Sequence, residues 1–168
     1  MTYYVLFFMQ LGSRRVSIGG ITDHPDAAAM EQMARNTTLE ELGCLHPCPY
    51  LPHDRDTKFC ESFREVLKAG GVKPLKLPAR SPNLNAFAER WVRSIKEECL
   101  SRLILFGESL RRAVTAFVEH YHQERNHQGK ENVLLFPAAE QRVGFSDGKV
   151  RRKERLGGLL KYYHREAA

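Results

Sequence analysis

The sequence has few cysteines and no long apolar run. Four cysteines occur among 168 residues, too few for a dense disulfide framework, so we expect a protein of the reducing cytoplasm. The longest apolar stretch, Tyr3–Met9, is strand-sized and far shorter than the ~20 residues that a membrane span needs. These shortages argue against a membrane protein and against a small disulfide-rich domain.

Acidic residues are outnumbered by basic ones. Twenty-six Lys and Arg stand against 20 Asp and Glu, which gives a net charge of +6. The excess is greatest in Val150–Arg165, where six cations accompany one glutamate. A polyanionic partner such as nucleic acid would explain this excess, and so would solubility alone.

The order of predicted elements is that of an α/β domain. Tyr3–Met9 and Arg15–Ile21 are typical of a β-hairpin, and a helix over 26–38 is expected after a cap at Asp23. Residues 43–53 hold three prolines and predict a loop, with at most a short strand at 50–51.

The second half of the chain is predicted to be mainly helical. Helices are expected over 59–68, capped by Thr57, and then over 85–103 and 109–123. Residues 72–77 predict a strand that lies at a sheet edge or carries a bulge, because Pro74 cannot donate a hydrogen bond. From Glu124 onward we expect mostly loop.

Three groups of polar residues could carry chemistry. Asp54 lies in a charged run before a predicted helix, where a solvated cap is the ordinary interpretation. Glu89, Arg93 and Lys96 are spaced i, i+4 and i+7 and share one helix face, where a solvated Glu–Arg pair is the ordinary interpretation. The segment 120–129 is rich in groups that could bind phosphate.

The order and spacing of these motifs resemble the integrase-like core of DDE transposases and retroviral integrases. The matching segments are DRDTKF at 54–59, ARSPNLNAFAER at 79–90, KEE at 96–98 and YHQERNHQG at 121–129. The similarity runs from Tyr3 to Pro137 and is closest to integrase-core transposases of bacterial insertion sequences, whose relatives also carry a segment like LGGLL at 156–160.

The resemblance implies an RNase H-like α/β fold, a mixed β-sheet flanked by helices. It also implies three carboxylates that hold two Mg²⁺ (or Mn²⁺) ions for DNA strand cleavage and transfer. Asp54 matches the second of these acids and Glu89 the third. Carboxylates suit hard cations, and two ions about 3.5–4 Å apart can activate the attacking oxygen and stabilise the leaving one.

The first acid of the family has no counterpart in this sequence. In the family it lies on a strand ahead of the one that Tyr3–Met9 resembles, so we expect a core that lacks its first strand. Gln10 carries no charge, Asp23 lies at a helix cap, and Asp56 stands where related proteins often have Gly. We therefore expect an integrase-like core over 1–137, incomplete at its N-terminus, and a basic tail over 138–168.

DNA, both transposon ends and target, is the partner that the resemblance implies, and self-association would fit it. Glu89 would hold metal, and the cations one and two turns further on would contact phosphates. Arg125 and His127 would contact DNA or support the acidic site, and structural hydrogen bonding explains them equally well. The expected DNA-binding residues are Arg93, Lys96, Arg125, His127, Arg151, Arg152 and Lys153.

Alternatives remain open at this stage. The chain could be a transposase remnant that only binds DNA, or an RNase H-like nuclease unconnected with transposition. Cys44, His46, Cys48 and His53 have the residue types of zinc ligands, but their spacing matches no common zinc pattern, and we expect His53 to be exposed.

Overall fold

The computed structural model describes residues 1–40, 42–46, 48–137 and 149–165. The chain divides into two compact units: unit 1 comprises Met1–Met9 and Val16–Ala88, and unit 2 comprises Gln10–Arg15 and Glu89–Ala168. The α/β class is confirmed, but the described residues form three separate two-stranded sheets where the sequence predicted one mixed sheet.

Unit 1 contains two of these sheets. Strands β1 (Tyr4–Met9) and β2 (Val16–Thr22) pair antiparallel, which confirms the predicted hairpin. Strands β3 (Tyr50–His53) and β4 (Lys73–Lys76) pair parallel, so the proline-rich run does form a strand and is not only loop. Their connection holds a helix, as a parallel pair requires.

The two helices of unit 1 begin later than the sequence predicted. Helix α1 (Ala27–Thr38) is capped by Asp26, whose side chain accepts the N–H of Ala29 at 2.8 Å, and not by Asp23. Helix α2 (Glu61–Ala69) starts after Cys60, so Thr57 lies outside the helix and does not cap it. The predicted caps failed because a nearer residue occupied the position at which the helix begins.

The core of unit 1 joins both sheets to both helices. A Cβ added to Gly20 of β2 would lie 2.6 Å from the Met33 sulfur, so a larger residue at this position would displace the Met33 side chain from its place in the core. The hydrophobic effect drives the packing of this core, because its side chains are almost completely removed from water. The buried members are Phe8, Met30, Met33, Ala34, Leu45, Phe63, Leu67 and Val72.

Two long helices follow β4. Helix α3 (Ala86–Glu98) is five residues shorter at its end than predicted, and a single 3₁₀ turn at Leu100–Arg102 replaces its last turn. Helix α4 (Gly107–Gln123) buries an apolar stripe that includes Val114 and Phe117. In the described part of the chain, no helix has the length and apolar character to cross a membrane.

The basic end of the chain is a β-hairpin. Strands β5 (Val150–Arg155) and β6 (Leu160–Arg165) pair antiparallel, and Gly157 and Gly158 supply the left-handed backbone between them. The prediction of a mostly irregular tail is therefore wrong for these residues. Residues 138–148 and 166–168 of that predicted tail lie outside the described residues.

Candidate functional site

Asp54 directly follows β3 with its side chain exposed. Its Oδ1 accepts the N–H of Asp56 at 3.0 Å, and no ion pair joins it to another described residue. The preceding His53 is 7% exposed, which corrects the expectation of an exposed ring. Its Nδ1 lies 2.7 Å from the Asp54 carbonyl and donates to it, which fixes the backbone where the strand ends.

The burial of His53 also sets its charge. Desolvation is the largest influence and lowers the pKa of His53, while the hydrogen bond to the Asp54 carbonyl opposes this effect. The ring is therefore neutral at pH 7. Its proton is on Nδ1, because Nδ1 donates to the carbonyl oxygen of Asp54. It packs against Phe59 with ring centroids 5.1 Å apart.

Asp56 has a different environment although it is only two residues from Asp54. Its Oδ1 accepts the backbone N–H of Lys58 at 2.9 Å, and this bond is the main reason that the pKa of Asp56 is lowered. The Lys58 ammonium lies 3.2 Å from the same carboxylate. Asp56 thus shapes the turn before α2, and the Asp54 carboxylate makes no such ion pair.

Glu89, Arg93 and Lys96 form what we call the α3 face. All three side chains are exposed on one side of α3. The Glu89–Arg93 pair expected from their i, i+4 spacing does not form, and among described residues none of the three has a side-chain hydrogen bond or ion pair. The exposed carboxylate of Glu89 is available to bind a metal ion, and the exposed cations of Arg93 and Lys96 are available to bind a phosphate group.

The described residues do not by themselves assemble a metal centre. Asp54 belongs to unit 1 and Glu89 to unit 2, and no described group of three or more His, Cys, Asp or Glu could hold an ion. The described side chains of Cys44, His46, Cys48 and His53 are likewise not brought together as such a group. The carboxylates of Asp54 and Glu89 have the donor chemistry that Mg²⁺ requires, without the full ligand set.

A buried carboxylate near the end of α4 gathers several partners. Glu124 is 1% exposed at its side chain, and its oxygens accept two hydrogen bonds from Arg155, Nε at 2.9 Å and Nη2 at 2.8 Å. Lys153 lies 2.7 Å away and His120 3.0 Å away. Arg155 also pairs with Glu119, and we call these five residues the Glu124 cluster.

Charge pairing outweighs burial in the Glu124 cluster. Desolvation would raise the pKa of Glu124, but hydrogen bonds from Arg155, Lys153 and His120 oppose it and lower the pKa to about 2. The carboxylate is therefore ionised at pH 7. Because Arg155 and Lys153 belong to β5, the ion pairs fasten the C-terminal hairpin to the end of α4.

Arg125 and His127 make contacts within unit 2. The Arg125 guanidinium binds Glu98 through Nε at 3.1 Å and Nη2 at 2.7 Å, a two-pronged pair that is about one-third exposed. His127 is 9% exposed, and its Nε2 donates to the Tyr121 carbonyl at 2.8 Å. Both residues therefore make the intramolecular hydrogen bonds that were one of the interpretations of the sequence.

The basic run of β5 is divided between two sides of the hairpin. Arg152 is exposed and pairs with Glu154 on its own side at 3.0 Å, whereas Lys153 reaches Glu124. Arg151 alternates with Arg152 and lies on the Lys153 side. The sequence reading did not include Glu124 and Arg155 as partners, because a pairing over 31 positions leaves no local pattern.

One comparison with known proteins bears on this geometry. Residues 70–133 match the family model of the integrase core domain. The matched segment contains the whole α3 face and also Arg125 and His127, and Asp54 lies before it. No curated protein matches the chain.

Proposed function

We propose, on the premise that this chain is a member of the integrase core family, that it is the DNA-binding catalytic core of a transposase. Its reaction class would be metal-dependent cleavage and transfer of DNA strands. The observation that carries the proposal is the α3 face. The family match covers an exposed Glu89 followed on the same face by Arg93 and Lys96, and none of the three makes an ion pair with another described residue.

The three side chains have complementary tasks in this proposal. Glu89 would hold a divalent cation, with Asp54 as the second carboxylate ligand. Bound Mg²⁺ would supply activation of the attacking oxygen and stabilisation of the leaving one. Arg93 and Lys96 would bind phosphates of the DNA backbone and so place the strand beside the acids.

His53 would support this site through its hydrogen bond to the backbone of Asp54. By donating to the Asp54 carbonyl, its ring holds the end of β3 in one conformation and so restricts where the Asp54 carboxylate can go. His53 is thus a positioning residue in the proposal.

Manganese binding by the purified chain tests the two ligands. We expect Asp54→Asn and Glu89→Gln each to weaken Mn²⁺ binding by about tenfold or more, measured by electron paramagnetic resonance of free Mn²⁺. Glu65→Gln and Glu97→Gln are matched controls, because each removes one exposed carboxylate from the same unit as Asp54 or Glu89 respectively. Equal weakening by the controls would contradict the assignment.

Strand transfer tests the activity itself. Two divalent ions bring four positive charges, and Asp54 and Glu89 offset only half of them, so we expect slow joining of a pre-cut transposon end by this chain. Adding an Asp-bearing strand at the N-terminus should increase the rate. Rapid joining without it, abolished by Glu89→Gln, would show that another acid such as Asp56 completes the set.

The alternatives give different results in the same assays. A remnant that only binds DNA would bind the duplex but join no ends even with the added strand. A nuclease unrelated to transposition would cut DNA in a metal-dependent way without joining an end to a target. Either result would replace the transposase assignment.

A further inference from the structure

The C-terminal hairpin has two chemically different sides. Side chains alternate along each strand, and the register pairs Arg152 with Tyr163 and Glu154 with Lys161. We call the side that carries these four residues the outer face; it also includes Val150 and Arg165. The opposite side carries Arg155, Lys153 and Arg151 on β5.

The inner side is occupied by contacts within unit 2. Arg155 and Lys153 are bound by the buried carboxylate of Glu124, and Leu160, the register partner of Arg155, is 4% exposed. Tyr162 and His164 stack on this side with ring centroids 5.4 Å apart. Arg155 and Lys153 therefore serve mainly to attach the hairpin.

The outer face is solvated and positively charged. Every one of its six residues is exposed, with Tyr163 at 59%. It carries three cations, Arg152, Lys161 and Arg165, against the single carboxylate of Glu154. The Arg152–Glu154 pair is exposed as well, and such pairs contribute little and exchange easily for another anion.

We infer that the outer face of the hairpin is a second surface that binds the phosphate backbone of duplex DNA. The inference rests on the proposed function, since it requires that the chain binds DNA. Lys, Arg and Tyr are among the side chains that bind phosphate oxygens in protein–DNA complexes. The major groove also admits a two-stranded β-ribbon, and the two strands of this hairpin are six residues long each.

The inference changes the expected DNA contacts at this end of the chain. Arg152 remains a contact, Lys161 and Arg165 are added, and Lys153 is reassigned to the attachment of the hairpin. Arg152 and Lys153, which are neighbours in the sequence, thus have different tasks because strand alternation places them on opposite sides of the hairpin. No property of the α3 face is needed for this division.

The test compares exposed charges of the same type in the full chain. We expect Arg152→Gln and Lys161→Gln each to lower the salt dependence of binding to a 30-base-pair duplex, measured by fluorescence anisotropy. The wild-type chain should lose affinity between 50 and 200 mM salt. With one phosphate contact removed, this loss should be about three- to fourfold smaller, and in the double variant it should be about tenfold smaller.

Matched controls separate a local contact from net charge. Arg35→Gln removes an arginine that is 51% exposed and paired on its own helix, against 53% for Arg152. Lys68→Gln removes an exposed lysine of α2. Both controls lie in unit 1, and each changes the net charge exactly as its partner variant does.

The outcomes separate this inference from the proposed function. If the wild-type chain binds duplex DNA and the hairpin variants behave as the controls do, the outer face is not a contact and the proposed function stands. If the wild-type chain binds no DNA, both fail. Equal competition by polyglutamate would show a surface for any polyanion, and tighter binding of duplex RNA would show the wrong nucleic acid; either would overturn the inference.

Discussion

The α3 face and the Glu124 cluster are both rich in charge, yet their environments are opposite. Glu89 is exposed and makes no ion pair among the described residues, whereas Glu124 is 1% exposed and accepts bonds from three side chains. A buried carboxylate must be compensated in this way, since an unpaired one is very costly. Position on a helix is therefore a poor guide to the purpose of a charged residue, and burial is a better one.

The comparison predicts where function and stability reside. Groups in the Glu124 cluster already have partners within the protein, so removing one of them should lower the free energy of unfolding. Groups on the α3 face are exposed to solvent, so removing one of them should change the binding of metal or DNA and leave the free energy of unfolding nearly unchanged. The predictions below test this division, starting with the largest effect.

Glu124→Gln should destabilise the protein by about 3 kcal/mol or more. The neutral amide removes the buried counter-charge of Arg155 and Lys153 and leaves Arg155 only the half-exposed Glu119, and removing one partner of a buried pair is strongly destabilising. Glu89→Gln, the same chemical change at an exposed site, should alter the free energy of unfolding by less than about 0.5 kcal/mol. Urea unfolding measures both, and equal effects would refute the division.

Acid should weaken unit 2 in two separate pH ranges. Burial, with nearby Arg15 and His127, lowers the pKa of His122 to about 4. The unfolded chain therefore binds a proton that the folded one resists, and stability present above pH 6.5 is lost as pH falls toward 4, by at most about 3 kcal/mol. The lowered pKa of Glu124 places its own loss between about pH 4.5 and 2.

His122→Gln distinguishes the two ranges, because glutamine does not titrate. The variant should show a flatter free energy of unfolding between pH 6.5 and 4 and keep the steeper loss below pH 4. Urea unfolding at pH 7, 5.5 and 4 measures the difference. A variant as sensitive as the wild type in the upper range would show that another group is responsible.

Arg125→Gln should cost about 1 kcal/mol, less than the loss of Glu124. Its two-pronged pair with Glu98 is partly exposed, and solvent weakens such pairs. If Arg125 serves the fold and not DNA, the salt dependence of DNA binding should stay as in the wild type. A slope lowered by about one unit would instead make Arg125 a phosphate contact.

Sequence reasoning succeeded where structure follows from nearby residues. Apolar periodicity located α3 and α4 to within a few residues, and alternation with a turn at Gly12 identified the first hairpin. The motif around Glu89 was recognised because its residues lie on one helix, and the family match at 70–133 bears out the resemblance to an integrase core domain. These features need only local geometry to be visible.

Sequence reasoning failed where the structure depends on contacts between residues that are far apart in the sequence. Strand β5 contains five charged residues in six, which no strand pattern predicts, and it is held by Glu124 and Glu119 from another element. The pairing of four strands into separate sheets in unit 1 also depends on long-range contacts. The burial of His53 follows from its contact with Phe59, which its charged neighbours in sequence conceal.

Lys96→Gln should have the smallest effect on folding and a clear effect on DNA. The side chain is exposed and without an ion pair among described residues, so the free energy of unfolding should change by less than about 0.5 kcal/mol. Affinity for duplex DNA should fall similarly for all sequences, and the slope of log affinity against log salt should flatten by about one unit, because one phosphate contact is lost. Lys68→Gln should leave the slope unchanged. Wild-type binding that does not respond to salt between 50 and 200 mM would exclude phosphate neutralisation, and the α3 face would then have neither a structural nor a DNA-binding task for its lysine.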